Sequence, residues 1–159
     1  MHKTGFGYDI HRLEAGRRLI LGGVDIPFQE GLAGHSDGDA LVHAVIDALL
    51  GALGEGDIGG RFPDNDARYK GARSTGLLAE VVGLLKERGA EIVNVDTVIV
   101  AEEPKMGPHV PAMKAGLSPV LGIPETCLGI KAKTNEGLGP VGEKRAIACF
   151  AVALLRFPD

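Results

Sequence analysis

The sequence predicts an α/β arrangement held in a single domain over residues 1–159, and three observations lead there. The chain has 159 residues, 45% of them hydrophobic, which suffices for one sizeable core. β-Branched runs alternate along its length with leucine- and valine-rich runs of helical spacing. The 24 glycines follow no fixed period, so they imply many tight turns, and no linker or low-complexity stretch divides the chain.

Taken in order, residues 4–11 read as a short strand. Arg18 to Leu21 and Val24 to Phe28 flank Gly22-Gly23, a two-residue hairpin signal. In "GHSDGDALVHAVIDALLGALGEGDIG", Leu41, Val42, Val45, Ile46, Leu49, Leu50 and Leu53 keep helical spacing, and Ser36 followed by Asp39 resembles a capping box. The polar, turn-rich residues 60–73 predict an exposed loop. A second helix opens at Ser74, carries Leu77, Leu78, Val81, Val82, Leu84 and Leu85, and closes at Gly89. From Ile92 the run "EIVNVDTVIVAEEP" reads as a strand. A proline-punctuated helix follows in "PHVPAMKAGLSPVLG", then a short strand around "LGIKAKT". The last segment, "GEKRAIACFAVALLR", is apolar nearly all round from Ala146 to Leu155 and is expected to be a buried helix.

Composition excludes several classes of function. A net charge of -4 and 4% aromatic residues without tryptophan leave neither a basic field for a polyanion nor platforms for stacking bases, so nucleic-acid binding is not expected. No basic-then-apolar leader and no stretch of about 18 uncharged apolar residues is present, so no membrane association and a cytoplasmic location are expected. Cys127 and Cys149 lack zinc-finger spacing and read as two reduced core thiols.

The stretch "GYDIHRL" sets Asp9 and His11 two apart on a strand, where both side chains point to one face and place a carboxylate beside an imidazole. That spacing alone favours an ordinary surface or salt-bridged pair over a pair of metal ligands. A third ligand would come from His2, His35, His43 or His109, and only His43 lies in the clearest helix. A histidine among Leu, Val and Ile is commonly a core residue. Asp39 at i−4 and Asp47 at i+4 nevertheless offer carboxylates that could orient its second nitrogen. Two other stretches have the make-up of phosphate-binding loops. "EEPKMGPH" sets Lys105 between prolines, and "KAKTNEGLGP" brings a lysine, a hydroxyl, a carboxylate and glycines together after a strand. For Lys105 and Thr134, composition alone favours solvated turn residues, and Gly5-x-Gly7 lacks the remainder of a dinucleotide fingerprint.

Five blocks, "GYDIHRL", "IPFQEGLAGHSDGDALVHAVIDALLGA", "GDIGGRFPD", "NVDTVIVAEEPKMGPHVPAM" and "KAKTNEGLGPVGEKRAIACFAVALL", resemble in order and spacing the 2-C-methyl-D-erythritol 2,4-cyclodiphosphate synthase family. The resemblance covers essentially the whole chain. It implies a compact α+β domain with a mixed sheet, helices on one face, and sheets arranged around the axis of a homotrimer whose active sites lie at subunit boundaries. It implies the cyclisation of a small-molecule substrate carrying CDP, with release of CMP. By resemblance, Asp9, His11 and His43 hold Zn2+, and Asp9 and His11 also border the substrate. His35 and Ser36 contact its methylerythritol phosphate end, His35 with a catalytic part. Asp57, Ile58 and Gly59 hold the methylerythritol moiety, and Phe62, Pro63, Asp64 and Asp66 belong to a mobile loop over the site. Ala101, Pro104, Lys105, Met106 and Gly107 line a cytosine pocket with Ala132, Lys133 and Thr134, and Thr134 is implied as catalytic. Glu136 matches the ligand of a second divalent cation, Mg2+ or Mn2+.

The chain departs from the family's pattern near its end. Pro140 stands where an aromatic is usual, Glu143 at an arginine position, Arg145 at a glutamate position, and Lys133 where threonine is common. Two other functions share part of this residue set: a metal-dependent phosphohydrolase, and a non-catalytic trimeric module binding cytidine nucleotides. The cytidylyltransferase sometimes joined to the family is not expected within 159 residues.

Overall fold

A computed structural model describes residues 1–158. The elements are β1 (His2–Ala15), β2 (Leu19–Leu21), β3 (Val24–Ile26), β4 (Glu30–Leu32), α1 (Ala40–Leu53), the one-turn α2 (Ile58–Arg61), α3 (Ser74–Glu87), β5 (Glu91–Val100), α4 (Val110–Leu121), β6 (Leu128–Lys133), the one-turn α5 (Gly139–Gly142) and β7 (Ala146–Arg156). Five strands make a mixed sheet in the order β4-β1-β7-β5-β6, with β5 and β6 parallel and the other pairs antiparallel. β2 and β3 form the expected hairpin around Gly22 and Gly23, whose φ values of +59 and +73° suit a tight turn between twisted strands.

The main correction concerns the C-terminal segment. The run expected as a helix over 142–156 is instead β7, the central strand. Ile147, Cys149, Ala151, Ala153 and Leu155 are buried, whereas Phe150 and Leu154 are half-buried and Val152 is 46% exposed, a period of two. A strand with neighbours on both edges and helices over it is apolar on nearly every side, as a buried helix would be, so composition does not separate the two. Pairing with β7 over residues 2–12 and with β4 over residues 13–15 explains why β1 runs from residue 2 to 15 rather than from 4 to 11.

The helices lie on one face of this sheet, with α1 packed directly on β1 and β7 and flanked by α3. Gly5 and Gly7 make that approach possible. A Cβ at Gly5 would lie 1.9 Å from the Ala48 carbonyl oxygen, and one at Gly7 would lie 1.9 Å from that of Ala44. The glycines and the alanines of α1 thus let the helix backbone rest on the strand, and His43, the residue before Ala44, comes down beside Asp9 and His11. The opposite face of the sheet carries exposed apolar side chains, Phe6 at 64%, Tyr8 at 46%, Ile10 at 41% and Val152 at 46%. Residues 60–73 are not wholly exposed as expected, because Phe62 is buried and meets Tyr69 edge-on at 5.2 Å. No helix of the described residues is long and apolar enough to cross a membrane.

Candidate metal centre and active site

Alternation along β1 puts Asp9 and His11 on its helix-covered face, in line with Gly5 and Gly7, and α1 presents His43 to them. Asp9 Oδ2 lies 2.7 Å from His11 Nε2 and 3.0 Å from His43 Nδ1, and the two nitrogens are 3.2 Å apart. Ligand atoms of the three residues all lie within 4.8 Å of one another, a spacing able to hold a metal ion.

The outward ring nitrogens decide what the inward ones carry. His11 Nδ1 faces the Ala33 carbonyl oxygen, which only accepts, so in the neutral ring the proton sits on Nδ1 and Nε2 is bare. His43 Nε2 lies 2.8 Å from Ser74 Oγ and 3.2 Å from Ser36 Oγ. The orienting partners of His43 are therefore hydroxyls rather than the expected carboxylates. Asp39 is instead the N-cap of α1, accepting from the backbone N–H of Val42 and also of Gly22 and Gly23. The expected capping role of Ser36 thus belongs to Asp39. Asp47 accepts from the backbone N–H of Ile58 at 2.7 Å and so fixes the start of α2.

Two basic nitrogens and a carboxylate meeting at one point bind a cation well and tolerate its loss by sharing protons. Burial disfavours a charge on Asp9, but its hydrogen bonds with His11 and His43 outweigh this and lower its pKa. Burial likewise disfavours imidazolium at His11, and the bond to Asp9 prevails, raising its pKa. Burial pushes the Asp39 carboxyl up to about 6 against the pull of its three backbone donors. Cys149, the partner of Asp9 across the sheet, is pushed up by burial, so its thiol stays protonated, and both cysteines are free as expected.

A cavity of about 220 Å³ opens above the triad. Nine expected site residues line it: Asp9, His11, His35, Ser36, His43, Ile58, Gly59, Phe62 and Asp64. Tyr69 and Leu77 line it too, the first from the polar loop and the second from a helix position that reads only as core. Asp57 is not among the lining residues; it caps α2, accepting the Gly60 N–H at 2.8 Å. Pro63 and Asp66 shape the loop, the Pro63 carbonyl accepting the Asp66 N–H while the Asp66 carboxylate takes the Arg68 guanidinium. His35 Nε2 is shielded from solvent and has no hydrogen-bond partner among the described residues, so a ligand in this cavity would satisfy it.

The remaining expected residues form a second group that does not border this cavity. The Ala101 N–H donates to the Lys133 carbonyl at 2.9 Å, which ties the run before Pro104, Lys105, Met106 and Gly107 to the end of β6 with Ala132 and Lys133. Thr134 Oγ1 donates to Glu136 Oε1 at 3.0 Å, and Glu136 has a left-handed φ of 52°. Glu102 holds that turn: its Oε1 accepts the N–H of Asn135 at 2.8 Å and of Gly137 at 3.3 Å. Glu102 stands in the quoted "AEEP" run, but nothing in the sequence links it to a turn 33 residues onward.

The YgbB family model matches residues 2–156. The chain belongs to the YgbB family. A relative from Desulfosudis oleivorans, named 2-C-methyl-D-erythritol 2,4-cyclodiphosphate synthase, is 55% identical over 153 residues, covering 96% of this chain and 91% of its own length. Among solved YgbB-type structures, a 2C-methyl-D-erythritol-2,4-cyclodiphosphate synthase in its CDP-bound form superposes with a TM-score of 0.90 at 44% identity, over 97% of this chain and 100% of that one. The bifunctional IspDF from Campylobacter jejuni superposes with a TM-score of 0.95 at 38% identity, and there this chain covers 43% of the longer protein. The family expected from the sequence is thus the one found.

Proposed function

We propose that this protein converts 4-diphosphocytidyl-2-C-methyl-D-erythritol 2-phosphate to 2-C-methyl-D-erythritol 2,4-cyclodiphosphate and CMP, within one cytoplasmic domain spanning residues 1–159. The observation that carries this reading is the triad: one carboxylate oxygen and two imidazole nitrogens converging beneath a cavity. In the reaction an oxygen of the 2-phosphate bonds to the β-phosphorus, the bond from that phosphorus to the bridging oxygen breaks, and its electron pair leaves with CMP. The nucleophile is already anionic at neutral pH, so no strong general base is needed and the residues act by positioning and charge complementarity.

Asp9, His11 and His43 would hold zinc: their donor atoms stand 2.7–3.2 Å apart, close to the spacing of about 3.3 Å between atoms about 2.0–2.1 Å from a tetrahedral ion. Glu136 would hold the second divalent cation, magnesium or manganese. When bound, the two ions supply Lewis-acid neutralisation of the crowded phosphates. His35 Nε2 and Ser36 Oγ would take the methylerythritol phosphate end. Asp57, Ile58 and Gly59 would seat the polyol, and Phe62, Pro63, Asp64 and Asp66 would cover it. Ala101, Pro104 to Gly107, Ala132 and Lys133 would receive the cytosine and its ribose, while Thr134 hydrogen-bonds the transferring phosphoryl group. The relative solved in its CDP-bound form supports a substrate that carries CDP.

A homotrimer with sites at its boundaries fits the same picture. The sheet face bearing Phe6, Tyr8, Ile10 and Val152 is apolar and open in the single chain, and the second residue group does not border the triad cavity of its own chain. The deciding experiment follows CMP release with and without chelator, in the parent and in His43→Ala. Turnover is expected to vanish with chelator and in the variant, and a zinc-free His43→Ala protein with parental activity would refute the assignment. Phosphorus NMR of the product separates cyclisation from hydrolysis, since only the former yields the cyclic diphosphate.

A further inference from the structure

The two residues behind His43 are bound by neither the sequence pattern nor the ligand set. Ser74 Oγ, fully buried at the start of α3, has one hydrogen to give, and it donates it to Asp37 Oδ1. The other Asp37 oxygen accepts the Ser74 backbone N–H at 3.0 Å, so the carboxylate grips Ser74 at two points. Asp37 Oδ1 also accepts the Asp39 N–H at 3.2 Å, which anchors the carboxylate to the turn that opens α1. A carboxylate only accepts, so the hydroxyl hydrogen stays directed at Asp37 and a lone pair of Ser74 Oγ faces His43 Nε2 at 2.8 Å. With the opposite tautomer, a bare Nε2 and the Ser74 Oγ lone pair would face each other in a buried place, whereas here the bare Nδ1 lies 3.0 Å from Asp9 Oδ2, an opposition that a bound cation relieves.

We propose that Asp37 and Ser74 form a positioning relay that keeps the proton of His43 on Nε2, leaving Nδ1 bare toward Asp9 and His11 and thereby setting the affinity of the triad for its metal. The proposal rests on the metal-binding reading above. Of the two hydroxyls near Nε2, Ser74 is the closer and is locked, while Ser36, at 3.2 Å, lines the cavity and remains available to a ligand. Neither Asp37 nor Ser74 lines that cavity, so neither touches substrate or ion; both act through His43. The relay also couples two helices to the centre, since Asp37 precedes α1 and Ser74 begins α3.

The test measures zinc affinity by competition with a chromophoric chelator in the parent, Ser74→Ala, Asp37→Ala and the double variant, alongside each melting temperature. Ser74→Ala is expected to weaken zinc binding by about 10- to 100-fold, the range for partners that orient a ligating histidine. Asp37→Ala is expected to weaken it by a comparable factor, because the freed hydroxyl hydrogen can then turn toward His43. The double variant should be no weaker than the weaker single one, since without Ser74 there is nothing for Asp37 to direct. Affinities unchanged within about threefold, or single losses that multiply in the double variant, would overturn the relay, because a purely structural role lowers the melting temperature without this pattern. Ring-nitrogen NMR shifts of His43 in the zinc-loaded parent, which report the nitrogen that carries the proton when the other holds the metal, need no variant. Protonation at Nε2 is expected, and protonation at Nδ1 overturns the proposal. A parent that fails to bind zinc would instead sink the metal reading, whereas a parent that binds zinc with the proton on Nδ1 sinks the relay alone.

Discussion

The two groups of site residues are built in opposite ways. Asp9, His11 and His43 sit on the covered face of β1 and on α1, where Gly5 and Gly7 bring helix backbone against strand backbone. His43 is only 8% exposed. Thr134 and Glu136 stand on a turn after the edge strand β6, held by the Glu102 carboxylate, and most of the residues around them are exposed. A centre made by packing is complete within one chain. A surface made by a turn at a sheet edge becomes a pocket only when another surface closes it.

Changes to the packing beneath the triad should have the largest effect. Gly7→Val puts atoms where the Ala44 carbonyl already lies, so α1 must lift from β1; a loss of at least about 3 kcal/mol in denaturant unfolding is expected, together with loss of zinc binding. Next, a charge on the open sheet face should separate the two groups without harming either. Tyr8→Glu is expected to split the proposed trimer into monomers by sedimentation and to abolish CMP release, with zinc affinity of the parent; a trimeric, active variant would place the second group's partner elsewhere. On the turn itself, Thr134→Ala should lower turnover by about 10²- to 10³-fold through loss of one transition-state hydrogen bond, and leave the melting temperature within a degree or two of the parent.

The smallest effect distinguishes metal-free from metal-loaded protein by pH. The folded-state pKa of His11 is raised above the ordinary 6.5, so its contribution is complete below 6.5 and is lost as pH rises through the raised value. That of Asp9 is lowered from 3.8, so its contribution is complete above 3.8 and is lost as pH falls through the lowered value. The pairing therefore stabilises metal-free protein most between 3.8 and 6.5. Zinc needs the imidazoles unprotonated, so the rise in melting temperature on adding zinc should be small at about pH 5.5 and larger at about pH 8. A gain independent of pH would argue that zinc binds away from the histidines.

Much of the packed centre was legible in the chain. The two-residue spacing of Asp9 and His11 fixes a shared face once β1 is a strand, and the helical spacing from Leu41 to Leu53 places His43 on α1. The orientation of His43 was not legible, because the residue that receives its second nitrogen lies 31 positions away, and Ser74 reads locally only as a helix start. The group that fixes His11 is the main-chain carbonyl of Ala33, which carries no side-chain signature. The β7 segment reads as a helix for a related reason: a central strand and a buried helix share one composition.

By itself the sequence determined the identity of the donors, the main helices, the hairpin and the family, since these depend on residue type, local spacing and ordered motifs. Tertiary structure alone decided that residues 146–156 form the middle strand, that α1 lies close enough for His43 to meet Asp9, and which groups the outer nitrogens of the two histidines meet. Those outcomes depend on which distant backbone and hydroxyl groups come within hydrogen-bonding reach, and only the completed packing of helix on sheet brings them there.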